Sequence, residues 1–353
     1  MDEKRLKQLR EETLKFRGAL AHLKTTTGRR RYENCSSYII SVTDNPFLAD
    51  EFALERSKGI RRLSSKTQVA VLPQNLYLRD RLTHTLEVVS VGVEIACILG
   101  LNTSLVRAIA LGHDIGHVPF GHPGEDYLSA KIGRPFTHEI MGVVVAQHVE
   151  RHGLGLNLTF EVLDGMMRHS GRNVSESMTQ EAWANRYADK IAYLFADYND
   201  LQRMQFRHLP ERLIKLMNQF GSTQRERTAI AIFELCKESA EEGKVTFEKS
   251  EFAKMFHELR SLMYQVYPMV THQKPAYVLD PLWDLLSGIK GVAPELVFAL
   301  MSDRDVVALT QTTMPGVLQL NQTSVGELME DIQKLTEKGI DITNPDLEWG
   351  YAK

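Results

Sequence analysis

Apolar side chains recur every three to four residues along most of this chain, and that period predicts helices almost throughout. In RLTHTLEVVSVGVEIACILG (81–100), Leu82, Leu86, Val89 and Val93 fall on one stripe. His84, Val88, Val91 and Ile95 fall on another. A helix apolar around so much of its circumference is expected in the interior. SLVRAIALGHD (104–114) aligns Leu105, Ile109 and His113 on one face, with cap candidates among residues 102–104. Residues 2–24 read as a charged amphipathic helix, followed by a polar connection to about Asn45. Further helices are predicted at 138–152, 159–169, 180–208, 210–220, 224–241, 250–266, 280–288, 293–302 and 324–338. Strand-like patterns are scarce, the best being YIISVT (38–43) and VAVLP (69–73). The fold class predicted is all-α: a helical bundle with additional C-terminal helices.

Composition narrows the picture. With 353 residues, 43% of them hydrophobic and 25% charged, the chain can bury a large core. A formal net charge of −3 argues against coating nucleic acid, although GRRRY (28–32) forms a local basic run. Cys35, Cys97 and Cys236 are widely spaced and make neither a disulfide framework nor a CxxC knuckle, which suits a reducing cytoplasm. There is no continuous apolar run of about 18–20 residues, and the start, MDEKRLKQLREETLKF, is too charged for a secretory signal. The expectation is a soluble cytoplasmic protein with no membrane partner. Three parts are expected: an N-terminal helix and connection over 1–50, a core over 51–215, and a C-terminal helical subdomain over 216–353. The charged KESAEEGK (237–244) is the clearest interruption in that last region.

Polar groups break three of the apolar helices. His84 sits among valines and leucines, His113 and Asp114 end the second helix, and Asp189, Tyr193 and Asp197 recur at i, i+4 and i+8 in YADKIAYLFADYND. Taken singly, these have ordinary readings: a core imidazole, a helix cap, a buried ion pair. Together they pose one problem, because unpaired buried carboxylates are expensive. A divalent cation held by His84, His113, Asp114 and Asp189 solves it, and this nitrogen–oxygen set suits manganese, iron, cobalt or zinc better than calcium.

The flanking residues sharpen this reading. RDRLTHTLEV (79–88), HDIGHVPFGHPGED (113–126), FTHE (136–139), ADKIAY (188–193), RRLSSKTQV (61–69) and FEVLDGMMRHSG (160–171) together resemble the deoxyguanosine triphosphate triphosphohydrolases, a family of HD-domain metal phosphohydrolases. The similarity covers about residues 45–205, and LMSDRDVVAL (300–309) resembles the family's C-terminal part only faintly. The resemblance implies hydrolysis of a deoxynucleoside triphosphate between the 5′-oxygen and the α-phosphorus, giving deoxynucleoside and tripolyphosphate. It implies a divalent cofactor (manganese, magnesium, iron or cobalt) on His84, His113, Asp114 and Asp189. It also implies a catalytic cluster of His122, Glu125 and His138, with His122, in a rigid loop, as general acid. Arg81, His117 and Lys190 would meet phosphate, while Tyr193 and Asp197 would grip the deoxyribose. Ser64 stands where the family often has a sugar-reading Gln, and only parts of its arginine-rich segment survive in NPFLADEFALERSKGIRRL. A homo-oligomer, and regulation by a nucleotide or single-stranded DNA, are further implications.

Two other functions compete. One is an HD-type nucleotidase or phosphodiesterase acting on deoxynucleoside monophosphates or cyclic nucleotides, which needs no triphosphate clamp. The other is a nucleotide- or single-strand-binding module with a vestigial site, motivated by the basic patches at Arg29–Arg31 and Arg61–Arg62.

Overall fold

The computed structural model describes residues 3–32, 38–71, 73, 75–171, 173–270, 276–310, 320 and 323–351; Cys35 and Leu72 lie outside them. Among the described residues there is no strand, only two isolated bridges, Arg30 with Thr159 and Thr67 with Asp80. The all-α expectation holds. The helices are α1 (Glu3–Phe16), α2 (Tyr38–Thr43), α3 (Pro46–Glu55), α4 (Lys58–Arg62), α5 (Arg81–Leu99), α6 (Thr103–Gly112), α7 (His122–Ile132), α8 (His138–Val144), α9 (Glu150–Gly153) and α10 (Phe160–Arg168). They continue as α11 (Gln180–Arg203), α12 (Glu211–Phe220), α13 (Gln224–Glu242), α14 (Glu251–Val270), α15 (Ala276–Ser287), α16 (Pro294–Leu300), α17 (Asp303–Thr310), α18 (Met329–Glu337) and α19 (Glu348–Tyr351).

Helices α5, α6 and α11 pack together at the centre, with α10 laid across α6 and α11 and α3 against α6. A cluster of buried apolar side chains runs from Leu20 to Leu347. The stripe of α5 bearing His84, Val88, Val91 and Ile95 is buried, whereas Leu86 on the other stripe is exposed, so the helix is less enclosed than its pattern suggests. By length and hydropathy α5 also matches a membrane span, yet half of that window is buried inside the fold.

Both strand candidates are corrected. YIISVT is helix α2, packed on α3, because a six-residue β-branched run with no sheet to join takes the conformation its neighbours favour. Val69 to Val71 is a bend. The segment 2–24 breaks at Gly18, whose φ of 75° ends α1's course and lets its amide donate to Ile98 O at 2.7 Å. Helix α11 stops at Arg203, short of 208. Helices α3, α4, α7 and α17 were not anticipated. His122, expected in a loop, is the first residue of α7: Gly-Pro-rich sequence that reads as a turn is here a helix start, with proline in the first turn.

Candidate metal centre and active site

Two helix caps set the positions of the first candidate ligands. Asp80 accepts from Thr83 N at 2.8 Å and fixes the start of α5, one turn before His84. Asn102 caps α6 through Ser104 N and Leu105 N, and the helix ends at His113, its C-cap. Asp114 then opens a turn that presses against α8 so closely that a Cβ on Gly116 would collide with His138 O and Gly142 N. Helix α11 crosses both helices and brings Asp189.

The four residues converge. His84 Nε2 lies 3.2 Å from Asp189 Oδ1 and 3.9 Å from Asp114 Oδ2. His113 Nε2 lies 3.3 Å from Asp114 Oδ2 and 3.9 Å from Asp189 Oδ1. His113 Nδ1 sits 2.7 Å from Ala110 O, an oxygen that can only accept, so the ring hydrogen is on Nδ1. Its Nε2 lone pair therefore faces two carboxylates, and the atom has no hydrogen-bond partner among the described residues. The carboxylates demand positive charge there: burial alone would lower the imidazole's pKa, yet Asp114 and Asp189 raise it. A divalent cation meets that demand while using the lone pair, so the donor set fits a metal. Among the described residues His84 Nδ1 is buried without a partner, and its Nε2 is engaged by Asp189.

Beyond Asp114 a second cluster begins. Asp114 Oδ1 faces His117 Nε2 at 3.2 Å and His138 Nε2 at 3.8 Å. Glu125 Oε1 lies 2.9 Å from the Nδ1 atoms of both His117 and His138, whose rings stack at 3.7 Å. Burial works against charge on His138, but Glu125 and Glu139 outweigh it and raise its pKa to about 9. Burial, together with Arg81 and His138, pushes His117 down to about 3. Glu125, despite burial, is held well below the carboxylate range by His138 and His117. Gly121, at φ 62° and ψ −136°, adopts a backbone that side chains rarely tolerate and turns His122 into the cluster's edge. His122 is exposed, with its ring 5.5 Å from that of His117 and 5.8 Å from that of His138.

The sequence-predicted substrate residues fare unevenly. Arg81 is buried and bonds Asp114 Oδ2 at 2.8 Å, so it contacts a candidate ligand carboxylate rather than solvent. Lys190 lies over the Tyr187 ring at 5.2 Å; burial first, then the charges of Arg186 and Arg260, lower its pKa to about 7. Tyr193 accepts from Arg260 Nε at 3.1 Å. Asp197 is buried with both oxygens engaged, Oδ1 by Arg79 and Oδ2 by Tyr267 Oη at 2.6 Å. Ser64 is exposed and donates to Arg61 O at 2.8 Å.

Sequence reasoning missed several neighbours. His169 Nε2 stands 3.3 Å from His138 Nε2, and its Nδ1 lies 2.7 Å from Met166 O, the same i−3 arrangement as His113 with Ala110. That repeated helix-end histidine was the available signal. Arg186 was also visible as the i−4 neighbour of Lys190, whereas nothing in the sequence pointed to Arg260 on α14. Among the described residues, three further trios converge as a metal's ligands could: His113, Asp114 and His169; Asp114, His117 and His138; His122, Glu125 and His138. Arg29 and Arg31 are exposed, but every arginine of the run 29–31 already has an acidic partner: Arg29 pairs with Glu161, Arg30 with Asp50 and Arg31 with Asp346. That pairing offsets the local positive charge that motivated a nucleic-acid-binding module.

Comparison with known proteins agrees with this geometry. Residues 81–194 match the HD domain family. The chain is 38% identical over 229 residues to the deoxyguanosinetriphosphate triphosphohydrolase-like protein of Clostridium tetani (strain Massachusetts / E88), covering 62% of this chain and 65% of that one. A protein of the same description from Clostridium perfringens (strain SM101 / Type A) is 45% identical over 181 residues, 50% of this chain and 53% of its own. The chain thus spans only about half to two-thirds of those two relatives. A third, from Desulfatibacillum aliphaticivorans, is 36% identical over 256 residues, 67% of this chain and 72% of its own. The chain belongs to the deoxyguanosinetriphosphate triphosphohydrolase-like family of HD-domain proteins.

Proposed function

We propose that the protein hydrolyses deoxynucleoside triphosphates to deoxynucleoside and tripolyphosphate. The observation that carries this reading is the His113 Nε2 lone pair facing Asp114 and Asp189, with the His122–Glu125–His138 cluster starting at the other oxygen of the same Asp114. His84, His113, Asp114 and Asp189 would hold a divalent metal. When bound, the metal supplies Lewis-acid polarisation of a phosphoryl oxygen and a lowered pKa for water.

The chain's own residues supply the rest. Water's oxygen bonds the α-phosphorus as the P–O5′ bond breaks, and the departing 5′-oxygen needs a proton. His122 is placed to give it, being the one imidazole of the cluster open to solvent. Its pKa is lowered, first by desolvation where its ring meets His117 and His138, then by the charge of His138, against the pull of Glu125. A weaker hold on the proton makes His122 a stronger acid once protonated, and the pull of Glu125 opposes loss of that proton. Glu125 and His138 form the charged pair that orients it. Burial first, then the positive charges of Arg186 and Arg260, lower the pKa of Lys190 beside Asp189, and a polyphosphate would offset that crowding of charge. Tyr193 borders the same site one turn below, while Asp197, two turns below, is held by Arg79 and Tyr267 in a separate network. The same reading carries a homo-oligomer and a cytoplasmic setting.

The test is product analysis with each of the four dNTPs and with Mn, Mg, Fe or Co. Tripolyphosphate with deoxynucleoside is expected, and His122→Ala should lower turnover by about 100- to 10,000-fold with metal content unchanged. Release of pyrophosphate or orthophosphate, or faster turnover of dNMPs, would refute the assignment.

A further inference from the structure

We propose that Asp303, the first residue of α17, is a positioning residue for the reaction: it anchors the loop before α7 in the conformation that aims His122. The role rests on His122 being the proton donor.

Asp303 is fully buried, and both of its carboxylate oxygens are taken by the active-site side of the molecule. Oδ1 accepts from Phe120 N at 2.9 Å, two residues before His122. Oδ2 accepts from Thr67 N at 2.9 Å and from the Thr67 hydroxyl. These partners lie 183 and 236 residues away along the chain, so no local preference makes the contacts. A carboxylate that accepts from backbone N–H groups away from water forms strong, directional bonds.

The Phe120 end of this link is where the backbone is least relaxed. Phe120 has φ 64° and Gly121 follows at φ 62°, two successive residues in the left-handed half of the map. Glycine tolerates that region freely and phenylalanine does not. Helix α7 also starts without a side-chain cap, because Gly121 stands at its N-cap. A residue in such a conformation persists only where its surroundings over-determine it, and the bond to Asp303 restrains the Phe120 amide directly. Were Phe120 to relax to negative φ, the chain would enter α7 in another direction. The His122 ring would then leave its places 5.5 Å from that of His117 and 5.8 Å from that of His138.

The Thr67 end ties the same anchor to the candidate ligands. Thr67 bridges to Asp80, the cap of α5, and Arg81 N donates to Lys66 O at 3.2 Å. Buried Lys66 in turn donates from Nζ to His117 O. Residues 66–67 therefore join the start of α5, which carries His84, to the loop that leads to His122. Asp303 closes this connection from the C-terminal part of the chain, and so sets the spacing between the proton donor and the candidate metal centre.

The test is a double-mutant cycle in the metal-loaded protein. Asp303→Ala should lower kcat for dNTP hydrolysis by about 10- to 100-fold, with KM changed less than about threefold and metal content unchanged. In a His122→Ala background the same substitution should lower the remaining kcat by no more than about twofold, since no donor is left to misplace. Asp303→Asn, with one acceptor oxygen in place of two, should fall between the native protein and Asp303→Ala. It takes the place of Asp303→Ala in the cycle if that variant does not fold, with a loss of about three- to tenfold expected. A native kcat in the folded variant, or a loss that multiplies in full in His122→Ala, overturns the positioning role and leaves Asp303 a structural staple. Hydrogen exchange at the Phe120 amide reads the anchor without turnover. It should be at least about tenfold faster in Asp303→Ala than in the native protein, and faster by less in Asp303→Asn; equal rates overturn the anchor. A native protein that hydrolyses no dNTP, while Phe120 exchange still depends on Asp303, would sink the hydrolase reading and leave the anchor standing.

Discussion

Helix α11 carries two buried charged sites two turns apart, and they are opposites. At the lower one Arg79 is gripped by Glu87, Asp197 and Asp200, while Tyr267 and Arg203 take up remaining oxygens of the two aspartates. Each described charge there has a hydrogen-bonding counterpart. At the upper site, Asp189 and Asp114 meet the imidazoles of His84 and His113, with Arg81 as the one bonded guanidinium. Four electron-rich atoms point at one another. Both sites are enclosed and both lie between α11 and the start of α5, so burial does not separate them. Satisfaction does: a closed ionic network holds a fold together, whereas an open one awaits a ligand.

The largest expected effect breaks the upper site. His113→Ala should lower divalent-metal affinity by at least about 100-fold and dNTP turnover by about a thousandfold or more. Unfolding stability in the absence of added metal should fall only moderately, through loss of the buried ring and of its attraction to Asp114 and Asp189. Metal analysis of dialysed protein and urea titration read the two effects separately. A large stability loss with metal retained would mean that His113 is a structural residue.

The lower site should answer in the reverse way. Arg79→Ala leaves three carboxylates without their cation and should cost about 3–5 kcal/mol of stability. Once folded, at low temperature, the variant should still bind metal with near-native stoichiometry. Loss of metal from folded Arg79→Ala would show that the two sites are one unit and that the contrast is false.

How much of this was legible in the sequence follows from the same distinction. The candidate ligands His84, His113, Asp114 and Asp189 were visible because charged residues interrupt apolar helical stripes, and the period places them on inward faces. The cluster of His122, Glu125 and His138 was visible only through its family motif. Arg79 and Arg260 were invisible, since an arginine in a polar segment or an amphipathic helix looks like a surface residue until a distant element meets it. Arg62 was read as part of an exposed basic pair, and the buried half of that pair emerged only from packing. The helices were readable where the period ran for ten residues or more. Short elements were lost: α2 looked like a strand and α7 like a loop, because local propensity outweighs period over six residues or across Gly-Pro.

The smallest effect probes the border between the two kinds of site. Glu139 belongs to the active region yet is satisfied: it lies 3.6 Å from His138 Nδ1 and accepts from Ser170. Burial raises the pKa of its carboxyl, but His138 and His169 prevail and hold it at about 2, against 4.5 for an unperturbed group. The folded state therefore binds this proton more weakly than the unfolded state. The resulting stability is present above the unfolded pKa and lost as pH falls through the folded one. The full difference is on the order of 3 kcal/mol. By linkage, a little under 1 kcal/mol of it is lost at pH 4 and about 2 kcal/mol at pH 3. His138 sets the upper limit, because its pKa is raised to about 9 and its contribution is lost as pH rises through that value. The stability gap between the native protein and Glu139→Gln, measured by urea unfolding, should accordingly be widest between about pH 5 and pH 8 and narrow on both sides. A gap that stayed constant from pH 3 to pH 10 would mean that Glu139 contributes through packing alone, placing it with neither the closed network nor the open one.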